Sequence, residues 1–384
     1  MNSCVELVTR NGRPFRLIDD SGFRKIIDPV LKALSAKRAI TAETVKDKVQ
    51  EQAKCKREEI SQTLRKRMFS LKIDCASRLD RALLGINVQY AENGTPVLQP
   101  LPMKELFDRD TAEHLTSQVK STMSRYDLSV APVYGVTTDN GANMLKAARL
   151  LGETDHETDA SSSDEEADTG YPEFEHCGSL LDNAEDAESL GLDGAEFKLG
   201  VRCAAHTLQL AVSDALKDSG SNTLVAQCRA LAKKLRAQSA MGLIRKLGLR
   251  KPNINCPTRW MSTLVMLTRL VELKDFAKDF LSHNETASWT ESIWAKVEML
   301  TESLQPAQEA TKMQTIGDFY GAWLTCSMKT ATISSPLAQA LVQSMTKREG
   351  NLCSTDIFCA ALYMDHRYRL LLTPDQKYRA RMHL

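Results

Sequence analysis

Phe69-Ser70-Leu71-Lys72-Ile73-Asp74 and Val133-Tyr134-Gly135-Val136-Thr137-Thr138-Asp139 are two strand-like runs that each close on an aspartate. In the first, apolar and polar residues alternate with a period of two, as in a strand with one buried face; the second is largely apolar. Between them Leu84, Ile86, Val88 and Tyr90 alternate with Gly85, Asn87 and Gln89, Asn93-Gly94 is a turn signal, and Val97 to Leu101 offers a further strand. Residues 110–126 read as a helix. Three strands joined by short turns, then a helix, then a strand suit an antiparallel meander extended by a parallel strand, with helices on its faces. Asp74 and Asp139 are then candidate neighbours. Two carboxylates on neighbouring strands can hold a divalent metal, and such sites do phosphoryl chemistry on nucleic acid. A strand-terminal Asp is more often a turn or cap residue, so spacing alone is a weak signal. A third carboxylate normally completes the site.

Working outward, the 384-residue chain is 42% hydrophobic and 26% charged, enough to bury a core, and it holds no run of eighteen apolar residues to span a membrane. Its first residues lack the basic and apolar regions of a secretory signal. Ten cysteines without a pairing rhythm fit a reducing compartment. The net charge of +1 hides segregation. Residues 1–72 hold 17 Lys/Arg against 9 Asp/Glu. Residues 153–196 hold 16 acidic residues and no Lys or Arg, and residues 219–271 hold 10 Lys/Arg and no acidic residue. The last stretch includes Lys233, Lys234, Arg236, Arg259 and Arg269; it suits phosphate neutralisation, or equally a solvated helical face.

Residues 12–34 suggest two small helices. Thr41 reads as an N-cap for a basic amphipathic helix over 42–67, with Val45, Val49, Ala53, Ile60 and Leu64 at helical spacing. A helix begins near Asn143. The acidic, Ser/Gly-rich stretch 153–197 reads as a disordered insertion. Ser161 to Ser163 within it weakly resemble an acidophilic kinase target, a plain solvated loop being the commoner reading. From 198 the chain is helical, with helices over 223–248, 258–283, 290–313 and 318–346 broken by Pro252, Pro257 and Pro306. The expected organisation is a helical region 1–67, an α/β module 68–152, the acidic insertion 153–197 and a helical region 198–384.

Cys203-Ala204-Ala205-His206 has half of a zinc-knuckle spacing with no second half, so a core Cys and a hydrogen-bonded His are the default and zinc is not expected. An Arg259-Trp260 pair can stack on an unpaired base and hold its phosphate; a core Trp at a helix start is at least as common. No nucleophile elbow, Walker loop or GxGxxG occurs.

Taken together, Asp74-Cys75-Ala76-Ser77-Arg78, Gly135 to Met144, Arg202-Cys203-Ala204-Ala205-His206-Thr207-Leu208-Gln209-Leu210, Thr258 to Thr263 and Ala361 to Arg369 resemble, in order, the catalytic region of hAT-superfamily transposases and their domesticated relatives. The resemblance covers nearly the whole chain. It implies a ribonuclease-H-like mixed sheet interrupted by an all-helical insertion domain, running here from about residue 207. It places the first two members of an Asp-Asp-Glu metal site at Asp74 and Asp139, with Mg²⁺ or Mn²⁺ as cofactor. It matches Cys203 and His206 to the family's Cys-x-x-His, whose His lies near the active site and DNA end. It matches Trp260 to the Trp that handles a flipped base. Lys233, Lys234, Arg236 and Arg259 are candidate DNA contacts.

The sequence departs from the family at both ends. The family commonly begins with a BED zinc finger, and no Cys/His pairs precede residue 68. The family's Glu follows the insertion, close to a C-terminal dimerisation segment, and no Glu follows Glu349. The expectation is therefore a nuclear, DNA-binding, transposase-like protein without autonomous strand cleavage and without the usual C-terminal dimerisation. The alternatives are an active metal-dependent transposase drawing its third carboxylate from Glu302 or Glu309, and a chromatin-associated module that binds nuclear proteins through the acidic insertion.

Overall fold

A computed structural model describes residues 1–33, 39–78, 81–107, 111–139, 141–152, 200–256, 259–282, 289–311 and 315–384. The acidic insertion and Ser161 to Ser163 lie outside the described residues. The chain divides into two compact units, Met1–Met68 with Val119–Pro132, and Phe69–Gln118 with Val133–Leu384.

The first unit contains α1 (Asn2–Thr9), a 3-10 turn (Phe15–Asp19), α2 (Ser21–Ala33) and α3 (Ala42–Leu64). Thr41 caps α3 reciprocally: its hydroxyl accepts the Thr44 N–H at 3.2 Å, and the Thr44 hydroxyl accepts the Thr41 N–H at 2.9 Å. Thr44 thus plays the part usually given to Glu or Gln in a capping box. Cys4, Val5, Ile18, Ile40 and Val45 form a small core. Ile60 and Leu64 are buried, whereas Ala53, expected on the same face, is exposed.

The second unit is built on a five-stranded sheet of β1 (Phe69–Arg78), β2 (Arg81–Glu92), β3 (Thr95–Leu106), β4 (Val133–Thr138) and β5 (Gly200–Arg202), in the order β3-β2-β1-β4-β5. The first three strands are an antiparallel meander; β4 joins β1 in parallel and β5 joins β4 in parallel. This mixed α/β arrangement is compatible with a ribonuclease-like fold. Asn93 and Gly94 both have positive φ, 50° and 76°, as a two-residue hairpin turn requires. β3 runs well beyond the expected 97–101. It accommodates Pro96, Pro100 and Pro102 because β3 is an edge strand, where a proline without an N–H can face away from the ladder. Phe69, Leu71, Ile73, Leu84, Ile86 and Val88 are buried, as the alternation requires. β5 is too short to have shown a period.

Helices α4 (Ala112–Ser124, of which Ala112–Gln118 belong to this unit) and α5 (Ala142–Gly152) accompany the sheet. Beyond β5 come α6 (Ala204–Asp218), α7 (Asn222–Leu235), α8 (Gln238–Lys246), α9 (Trp260–Glu272), α10 (Lys274–Ser282) and α11 (Glu291–Ala310). α12 (Ile316–Ala331), α13 (Pro336–Cys353), α14 (Asp356–Met364) and α15 (Pro374–His383) follow. They share a core that includes Leu208, Leu235, Trp260, Leu267, Trp294 and Trp323. Three expected helices each divide in two: 223–248 into α7 and α8, 258–283 into α9 and α10, and 318–346 into α12 and α13. The last division carries a cue in Ser335-Pro336, where the Ser335 hydroxyl accepts the Ala338 N–H at 3.0 Å and Pro336 opens the helix. The expected break at Pro306 does not occur. α11 runs through it because Ser303, Leu304, Ala307 and Ala310 are buried on either side, and that packing outweighs one lost backbone bond. No helix among the described residues is long and apolar enough to cross a membrane.

The Asp365-His366-Arg367-Tyr368 motif locks onto α12. Arg367 Nη2 bonds Asp365 Oδ2 at 2.7 Å and Asp318 Oδ1 at 3.0 Å, and the Tyr368 ring meets Tyr320 edge-on at 5.5 Å. The approach requires Gly317 and Gly321. A Cβ at the first would collide with the Asp365 carboxylate, and at the second with the Tyr368 hydroxyl, with the Tyr368 Cζ behind it at 3.2 Å. Gly321→Ala is expected to lower stability by about 1–3 kcal/mol, the cost of overpacking, less the helix propensity that Ala returns. In a Tyr368→Phe background, which deletes the colliding oxygen, the loss should fall by half or more. Urea unfolding of the four-protein cycle measures it; equal losses in both backgrounds would refute the close approach.

Candidate metal and nucleic-acid site

The site lies where β4 ends beside β1, which does not close on Asp74 as expected but runs on, paired with β2, to Arg78. Their parallel register pairs Leu71 with Val136 and Lys72 with Thr137, so two residues further on Asp74 and Asp139 come level. Asp139 leads into α5: its Oδ1 accepts the Gly141 N–H at 3.1 Å, and the Gly141 carbonyl accepts the Leu145 N–H at 2.9 Å. A Cβ on Gly141 would stand 3.2 Å from the same carboxylate oxygen, so glycine leaves Asp139 its room.

Asp74 stands above the ordinary carboxylate range. Burial is the chief cause and the neighbouring Asp139 charge the second; Arg259 and a hydrogen bond from the Cys75 backbone pull the other way. The side chain nevertheless keeps solvent access. The two carboxylates therefore repel, and one guanidinium partly answers them.

β5 delivers the third member. The Cys203 N–H bonds the Thr138 carbonyl at 2.8 Å, continuing the ladder from β4 into the start of α6. Cys203 occupies the N-cap position without a side-chain bond, and His206 sits in the first turn, half-buried. Burial holds the imidazole below its ordinary value, with Asp139 pulling it up and Arg348 of α13 pushing it down.

Arg259 arrives by a different route. Gln209, one turn beyond His206, accepts the Trp260 N–H at 2.9 Å and so ties the start of α9 to α6. The preceding loop is pinned by Arg229, which bonds the Asn255 carbonyl at 2.8 Å, and by Asn255 Nδ2, which bonds Thr263 Oγ1 at 3.1 Å. Arg259 stands exposed at the N-cap of α9, within electrostatic reach of Asp74.

Four of the candidate residues thus converge: Asp74, Asp139, His206 and Arg259. Cys203 anchors the backbone beside them. Trp260 does not join. Its ring is 4% exposed in the helical core, so in this conformation it offers no face to a base and takes the alternative role of core anchor. Lys233, Lys234 and Arg236 lie exposed at the C-terminal end of α7, followed by exposed Arg245, Lys246 and Lys251. Arg250 and Arg269, from the same basic stretch, pair with Glu272 at 2.9 and 3.2 Å. Among the described residues no group of three His, Cys, Asp or Glu side chains is placed to hold a metal. Glu349 accepts the Tyr320 hydroxyl at 2.7 Å, and Glu302 and Glu309 are exposed on α11.

Sequence reading missed Gln209, Asp214 and Arg348. Gln209 follows His206 by three residues, a spacing that places both on one helical face. Arg348, which pairs with Asp214 of α6, lies far off in sequence, and nothing local marks it.

The fold and the site define a mixed-sheet α/β protein with a carboxylate pair where its two central parallel strands part, and a His and an Arg beside it. Residues 201–303 match the profile of the ZBED1 RNase-like helical domain, a hAT/ZBED-related domain. No match is found among curated proteins.

Two substitutions should move His206 in opposite directions. Arg348→Ala removes a repelling cation and raises the imidazole pKa, whereas Asp139→Asn removes an attracting anion and lowers it. NMR titration of the ring measures both. Shifts of the same sign, or none, would contradict this placement.

Proposed function

We propose that this chain is a hAT transposase-like DNA-binding protein of the nucleus that lacks efficient strand cleavage. The observation that carries the reading is the convergence of Asp74, Asp139, His206 and Arg259, drawn from four separated sequence motifs, at one end of a 3-2-1-4-5 sheet. The match over residues 201–303 supports the same reading. On it, the helices that follow α6 correspond to the family's insertion domain, and the acidic stretch 153–197 is a candidate contact for nuclear proteins.

The carboxylate pair fits Mg²⁺ or Mn²⁺. Its donors are hard oxygens, and a divalent cation would relieve the repulsion that helps to raise Asp74. Bound there, the ion would act as a Lewis acid toward a phosphoryl oxygen. Arg259 would neutralise a phosphate arriving at Asp74, and the neutral His206 ring can exchange one hydrogen bond with it. Two carboxylates hold such an ion weakly, and among the described residues no third ligand joins them, which favours binding over cleavage.

Duplex DNA should bind with an affinity that falls steeply with salt. Replacing Lys233, Lys234 and Arg236 together by Gln should lower the log-log salt slope by roughly 2–3, about 0.9 for each phosphate no longer neutralised. An unchanged slope would remove this face from the DNA surface. In Mn²⁺ titrations by calorimetry, weak binding should vanish in Asp74→Asn/Asp139→Asn; binding that survives would place the ion elsewhere. Nicking of supercoiled DNA with Mg²⁺ or Mn²⁺, abolished by Asp74→Asn, would overturn the claim that cleavage is lost.

A further inference from the structure

A second concentration of positive charge lies in the first unit. Lys54, Arg57, Ser61 and Arg65 form a stripe along α3. They wall a cleft of about 420 Å³ with Glu58, Gln62, Arg125, Tyr126 and Asp127. Four cations face two carboxylates, and one carboxylate is already used: Asp127 pairs with Arg65. Asp127 reaches it from a residue of positive φ, 55°, a conformation that Asp tolerates better than most. Lys54, Arg57 and Arg125 have no ion-pair partner among the described residues. Arg57 and Arg125 line the cleft together with Tyr126. Burial raises the phenol's pKa and both guanidinium groups partly offset that, which places them around the same point.

We infer that this cleft binds the phosphodiester backbone of a nucleic acid. The inference does not rest on the transposase-like reading. Two features select this ligand over other anions. At a helical rise of 1.5 Å per residue, Lys54 and Arg65 lie about 16 Å apart, which suits several successive phosphates better than one. Every one of the nine lining residues carries a charged or hydrogen-bonding group, which suits a polyanionic sugar-phosphate chain.

The test uses the full chain and a fluorescently labelled 20-base-pair duplex, read by anisotropy across a KCl series. Arg57→Gln/Arg125→Gln should weaken binding roughly tenfold near physiological salt and lower the log-log slope by about 1.8. Lys56→Gln, which removes a lysine that pairs with Glu59 on the same helix and does not line the cleft, should change neither. Thermal melting checks the fold. If the double variant melts early, the exposed Lys54→Gln replaces it, with an expected slope change of about 0.9. An unchanged slope, or an equal effect of Lys56→Gln, overturns the inference. Displacement of DNA by millimolar inorganic phosphate at constant ionic strength also overturns it, in favour of a single-anion site. Equal displacement by polyglutamate overturns it in favour of an acidic protein partner. The Lys233/Lys234/Arg236 variant separates the two DNA surfaces. If it leaves binding intact while the cleft variants lose it, the α7 face fails and the cleft stands; the reverse result removes the cleft alone.

Discussion

The parallel pairing of β1 with β4 is the constraint on which the rest of the site depends. Asp74 lies within β1, two residues past its last pairing with β4, and Asp139 directly follows β4; only a parallel register brings the two level. A parallel neighbour cannot follow through a tight turn, so the chain crosses over, and α4 lies in that crossover. Side chains alternate across a strand with a period of two, so a one-residue slip would turn Asp74 to the opposite face and bury Lys72 or Ser70 in place of Leu71. The burial of Phe69, Leu71 and Ile73 fixes the register, and the register fixes the carboxylates. Core packing and site geometry are therefore one problem here.

The helical region then supplies what the sheet cannot. Two neighbouring carboxylates, one driven upward by burial and by the other's charge, need positive charge nearby. It comes from Arg259, held at the start of α9 by the Gln209 bond to the Trp260 N–H. That bond explains why Trp260 is inside. The indole anchors α9 in the core so that the residue before it can stay outside and face Asp74. Arg259 and Trp260 thus divide charge and packing between them. Likewise Arg348 has two neighbours to serve, pairing with Asp214 while its charge adds to the burial that holds the His206 imidazole below its ordinary value.

β1 and β2 were legible because one buried face writes itself into a period of two, and β4 because it is a largely apolar run; Asp139 follows directly where β4 stops, whereas β1 runs on past Asp74 to Arg78. β5 was not legible, because three residues cannot display a period; its existence depends on the ladder offered by β4. Helix divisions at 236–237 and at Leu273 carry no Pro, and they reflect where tertiary packing turns the chain. Pro306 shows the converse, a strong local signal overruled by the buried residues around it. Trp260 had two readings of comparable weight in the sequence, because an Arg-Trp pair beside a basic stretch looks the same whether the ring faces solvent or core. Arg348 depends on helix α13 lying along α6, a long-range fact that no local pattern encodes.

On the function proposed above, the same electrostatics favour binding over cleavage. A site that breaks phosphodiester bonds must hold its cations firmly enough to stabilise both the attacking and the leaving oxygen, and that demands several carboxylates focused on one point. Here two carboxylates face a fixed guanidinium, and each increment of positive charge from Arg259 weakens the pair's hold on a divalent ion. The arrangement nevertheless suits a phosphate well, since a guanidinium at the mouth can bind it with paired hydrogen bonds. Adding a carboxylate would shift that balance toward metal, and removing Arg259 would strengthen the pair's attraction for cations while leaving an incoming phosphate without its counter-charge. On that proposal, the position of Arg259 relative to Asp74 sets the balance between a cation and an anion at this site.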